Sequence, residues 1–208
     1  MTPQVRIPAL KEWAVIVHAL LAGEQVIDLR KGGLKEDGRH FGIANQTAWL
    51  YPTAEHQRPE LLTTAYRHWV DISESSPVGQ PIRILGWVEI VSHATISEVN
   101  ELDALSGKAI WTDEYAQQRL KWKSRDPLWV LLMRAHRLDE PLTIPWRDNY
   151  GGCTSWVDLT GLPADPRSLP STPALSDVAF ESRSKGAREA LGETAWTNPA
   201  GSNSRISG

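Results

Sequence analysis

The sequence predicts an α+β fold built on a curled sheet that is mostly antiparallel or mixed. Three observations predict it. A helix-spaced segment over 9–22 runs through Gly23 directly into a strand over 25–31. Two β-rich runs, 82–93 and 128–137, are separated by helical segments. The elements never settle into strict βαβ alternation.

Leu10, Trp13, Ala14, Val17, Leu20 and Leu21 recur at helical spacing, and only Lys11, Glu12 and His18 interrupt an apolar cylinder, so a helix covered on most sides is expected. Gly23 is its natural stop. The period then becomes two: Ile27 and Leu29 face one way, Val26, Asp28 and Arg30 the other. A short strand over 48–51 is expected to end at Pro52, with a helix from Pro59 to about Val70. The Ser-Ser-Pro-Val-Gly stretch within 71–80 reads as a loop. Short helices over 98–105 and 112–122 lie between the β-rich runs, and Gly151-Gly152 announces a last strand over 155–159.

Composition narrows the class of protein. The 208 residues, 41% hydrophobic and 23% charged, suit a globular domain, and the net charge of −3 provides no global basic field for nucleic acid. Any anion site must be local. One cysteine, Cys153, cannot form an internal disulfide and is expected as a small buried residue. No leader or membrane-spanning run is evident, which gives a cytoplasmic expectation. Nine of the ten tryptophans precede residue 160, whereas 161–208 is rich in Pro, Ser, Ala and Gly. The expected division is an α+β domain over 1–160 and a disordered Pro/Ser-rich tail over 161–208.

Three clusters could carry chemistry. Asp28 and Arg30 share one strand face, with Lys31 beside Gly32-Gly33, so a cation there could clamp a phosphate or a base edge; a solvated charge pair is the plainer reading. Thr53, Glu55, His56, Gln57 and Arg58 crowd one turn, as functional groups or as helix caps. Arg119, Lys121, Lys123 and Arg125 surround Trp122, with Trp129 beyond, which suits a single-stranded nucleic acid but equally suits helix-dipole complementation and core packing, the reading favoured here. His56, Glu60 and His68 make only an incomplete metal site. No P-loop, dinucleotide fingerprint, nucleophile elbow or zinc-protease helix occurs, and no cofactor is implied.

Trp13, Gly23-Glu24-Gln25-Val26 and Asp28-Leu29-Arg30 resemble the opening of ASCH-type domains of the PUA-like superfamily. Gly86-Trp87-Val88-Glu89-Ile90, Tyr115 and Asp139-Glu140-Pro141-Leu142 are similar to its later elements. The resemblance covers roughly 8–160. It implies a PUA-like (ASCH-type) curled β-barrel with a packed N-terminal helix, associated with RNA or modified nucleotides. One branch hydrolyses acetylated cytidine with a Lys and a Thr after the first helix; the matching Gln25 and Val26 offer neither amine nor hydroxyl, so that reaction does not carry over. KEWAVIVHALLAGEQVIDLRKGG and LYPTAEHQRPELL also resemble an uncharacterised bacterial domain-of-unknown-function family. That family tends to have an acidic residue and a His where this chain has Ala44-Asn45.

The expected function is a binding module for RNA or a modified nucleotide, with Arg30 and Lys31 facing Thr53, His56, Gln57 and Arg58 across a cleft. A metal-dependent hydrolase or nuclease using Asp28, Glu55 and His56 is the enzymatic alternative. A protein-interaction adaptor working through the tail is the third.

Overall fold

The computed structural model describes residues 7–31, 47–122, 126–152 and 154–198. Gly32-Gly33, Ala44-Asn45, Lys123, Arg125, Cys153 and 199–208, all named above, lie outside the described residues.

Where the spacing predicts a helix from residue 9, the chain opens as a strand. β1 (Ala9–Trp13) passes without a loop into α1 (Ala14–Leu21). Almost every residue in this stretch is buried, Lys11 and Glu12 included, so polarity does not mark an exposed face by which to tell strand from helix. β2 (Ile27–Lys31) and β3 (Thr47–Thr53) follow. β3 continues through Pro52, because β1 runs parallel to it and pairs Glu12 with Pro52 and Trp13 with Thr53. The single helix expected after Pro59 is instead three short pieces: 3₁₀ turns at Pro59–Leu61 and Thr64–Tyr66, and α2 (Trp69–Ile72).

β4 (Ile82–Ile96) and β5 (Leu128–Ile144) are the long central strands. Between them lie α3 (Val99–Asp103) and α4 (Asp113–Lys121). Both helices start where capping chemistry predicts: Glu98 and Glu101 form a capping box, and Thr112 accepts from the Tyr115 amide. β6 (Trp156–Val157) closes the expected series.

The sheet order is β2-β5-β4-β3-β1-β6, mixed as expected. Both faces are covered. Along β3, Ala48 and Leu50 enter one core with α1 and α4, while Trp49 and Tyr51 enter a second with Trp87 and Tyr150. The α+β class and the packed N-terminal helix are therefore present.

Beyond residue 160 the chain departs from the expected tail as far as it is described. β7 (Ser171–Pro173) adds to β5, and α5 (Asp177–Leu191) buries Phe180, Ser184 and Ala187. The average composition conceals this, since Phe180, Ser184 and Ala187 fall on one helical face while Val178 stays exposed. Leu175 packs on Gly23, and Arg183 donates to the Glu24 carbonyl at 2.6 Å, so this segment covers the end of α1.

Candidate functional site

The strand-to-helix junction at Trp13, the end of β3 and the cleft-facing side of α4 enclose a cleft of about 430 Å³. Its lining includes Arg30, Thr53, Glu55, His56 and Arg58 from the two clusters expected to matter most, and Arg119 and Trp122 from the third. It also includes Trp13 and Tyr115, together with Lys11 and Glu12, which no local sequence signal marks as site residues.

At the floor, Arg30 is 1% exposed, between Glu12 at 2% and Asp28 at 0%, so the solvated charge pair of the plainer reading is excluded. Its Nη1 lies 2.5 Å from Glu12 Oε2 and its Nη2 lies 2.5 Å from Asp28 Oδ2. These contacts are ionic without aligned hydrogen-bond geometry, and Arg30 Nε has no acceptor among the described residues. Burial pushes the Asp28 carboxyl up to about 6 against the pull of Arg30, with Glu12 adding to the rise. Glu12 Oε1 also accepts from the Trp13 amide at 2.6 Å, fixing the start of α1.

Lys11 is immobilised. Its ammonium donates to Glu55 Oε2 at 2.8 Å, to the Gly152 carbonyl at 3.0 Å and to the Tyr150 carbonyl at 3.3 Å, which uses its three donors. The Lys11 hydrogen bond holds the Glu55 carboxyl below its ordinary range. Thr53 supports the same turn, accepting from the Glu55 amide at 3.2 Å. His56 stands in the left-handed region at φ 61, an uncommon conformation for a non-glycine residue.

On the opposite wall, Tyr115 packs against Trp13 at 5.2 Å and Trp111 at 5.6 Å between ring centroids. Arg119 lies over the Tyr115 ring at 5.0 Å and donates to its hydroxyl at 2.8 Å. Burial opposes the charge on Arg119, but Tyr115, Glu12 and Asp28 outweigh it and hold the guanidinium above its ordinary pKa. Trp122 is 45% exposed at the edge. Arg58 links the two walls, donating to Glu60 at 2.8 Å and to Gln118 at 3.4 Å.

Three expected site residues, Lys31, Gln57 and Asp28, do not line the cleft. Lys31 donates to the Leu120 carbonyl at 2.8 Å, holding α4 against β2. Gln57 accepts from the Val15 amide at 3.0 Å and satisfies the first turn of α1. Asp28 is behind the floor and does not line the cleft. Among the described residues no three of His, Cys, Asp and Glu stand close enough to hold a metal ion. Trp129 packs at 5.3 Å from His93 and does not join Trp122 in the cleft lining. Tyr115 and Arg119 are visible in the sequence as an i, i+4 pair, whereas the helical reading of β1 hides Lys11 and Glu12.

Among the described residues no helix is long and apolar enough to cross a membrane. No curated protein matches the chain. One solved structure that resembles it, a point mutant of ZmASCH from Zymomonas mobilis, has 13% identity and a TM-score of 0.44, over 75% of this chain and 91% of that one. The sequence profile of a domain of unknown function, DUF1802, matches residues 9–186, and the chain belongs to that family.

Proposed function

We propose that the cleft binds RNA or a modified nucleotide through an unpaired base and its phosphate. One observation carries the reading: four cations, Lys11, Arg30, Arg58 and Arg119, against two carboxylates, Glu12 and Glu55, share one cleft with Trp13, Tyr115 and Trp122. The lining thus carries two more cations than carboxylates although the whole chain is net −3 and Asp28 and Glu60 pair with two of those cations from outside it. Aromatic walls beside cations suit a base with its phosphate, which needs both a π surface and charge neutralisation. The volume of about 430 Å³ is within the range of small-ligand sites and too small for a duplex.

The hydrolytic alternative has less support, since Glu55 and His56 line the cleft but Asp28 does not. The adaptor alternative loses much of its free tail to α5.

The test is equilibrium binding of the full chain to short single-stranded RNA and to ribonucleotides, at about 50 mM and about 200 mM salt. Salt-sensitive binding that weakens severalfold in Arg58→Ala is expected, because Arg58 is an exposed rim cation whose removal leaves the fold intact. Absence of binding to every probe, with a folded protein, overturns the reading.

A further inference from the structure

The cations of the cleft are not equivalent, and their differences set the direction in which a ligand can lie. Lys11 has its donors occupied by Glu55 and two carbonyls. Arg30 is held by two carboxylates, Glu12 on the floor and Asp28 behind it, so two negative groups stand against one positive there. A phosphate pressed against that floor would meet uncompensated carboxylate in a water-excluded place, where like charges repel most strongly. A neutral, planar group with hydrogen-bonding edges would meet no such penalty. It could also supply the acceptor that buried Arg30 Nε lacks among the described residues.

Arg119 differs in each respect. Its side chain keeps 23% of its surface, against 2% for Arg30, which puts it nearer the mouth. Its closest carboxylate oxygen, on Glu12, is 3.8 Å away, and the group that fixes it by a hydrogen bond is a neutral hydroxyl, that of Tyr115. A guanidinium oriented by a phenol and stacked on its ring has its charge preorganised, and Glu12 reaches it only at 3.8 Å, against 2.5 Å for each carboxylate on Arg30.

We propose that the ligand enters base first, with its heterocycle against the Glu12–Arg30 floor and its phosphate at the mouth on Arg119. Tyr115 is then a positioning residue for Arg119. The inference rests on the nucleotide reading above and adds the polarity of binding and the phosphate anchor.

The probes are the four ribonucleoside 5′-monophosphates and their nucleosides, titrated into the full chain by calorimetry. The wild type is expected to bind at least one monophosphate about tenfold more tightly than its nucleoside. Arg119→Ala should reduce that ratio to about twofold or less, and Tyr115→Phe should reduce it partly while keeping the ring. Lys121→Ala, on the same helix but outside the cleft lining, should leave the ratio unchanged. If Arg119→Ala does not fold, Tyr115→Phe decides. A ratio unchanged in both variants, or a wild type that binds nucleoside and monophosphate alike, overturns the polarity and leaves the nucleotide reading standing. A wild type that binds neither overturns the polarity, and binding of short single-stranded RNA then decides whether the nucleic-acid reading stands.

Discussion

Asp28 and Arg30 are separated by one residue and completely enclosed, and the energetics of the cleft floor follow from that enclosure. Burial lifts the Asp28 carboxyl from 3.8 to about 6, so between those values the folded protein retains a proton that the unfolded chain releases. The associated stability is present at acid pH and is lost as pH rises through about 6. Asp28→Asn carries no such charge. Its stability relative to wild type should therefore improve by about 1.4 kcal/mol between pH 5 and pH 7.5, read as the difference between urea midpoints at the two values. A constant difference across that interval would show that Asp28 does not titrate there. Arg30 is less replaceable, because its removal leaves two buried carboxylates uncompensated. Arg30→Met should cost about 3–5 kcal/mol in the same measurement.

At the scale of elements, α1 is held at both ends by side chains distant in sequence: Gln57 at its start, Leu175 and Arg183 at its end. Gly23, at φ 74, lies so near Leu175 that a β-carbon added to it would stand 2.6 Å from Leu175 Cδ2. Gly107 has a similar φ of 71 and open space around it, which makes it the control for backbone strain alone. Gly107→Ala should cost about 1 kcal/mol and Gly23→Ala about 2–3 kcal/mol by chemical denaturation, the excess reporting how firmly the segment leading into α5 rests on α1. The elements most legible in the sequence are those with local signals. Thr112 and the Glu98/Glu101 pair mark helix starts, and the two-residue period marks β2. Least legible is β1, whose strand character comes from pairing with β3 and β6, partners that no local window contains.

For the whole molecule, the C-terminal segment is part of the domain. Removing everything after residue 160 would strip Phe180 and Ala187 from the larger core and β7 from β5. Such a truncation should lose its cooperative thermal transition by circular dichroism, whereas a chain ending at 198 should keep it. The same dependence on distant packing explains which parts of the site can be read from sequence. Arg30, Thr53, His56 and Arg58 are recognisable because polar groups crowd short segments. Arg119 is easily discounted because cations near a helix end have an ordinary explanation, and only the packing of Tyr115 between two tryptophans reveals where it points.

β7 has a consequence for synthesis on the ribosome. It covers the rim of β5 at His136, Arg137 and Leu138, yet its residues leave the ribosome more than thirty positions after the ones they pair with. Until they emerge, the nascent chain carries an open hydrogen-bonding edge beside an apolar face, a template for pairing with neighbouring chains. Translation that stalls in this interval would leave that edge open, so β7, made later than its partner strand, is what guards β5 against self-association.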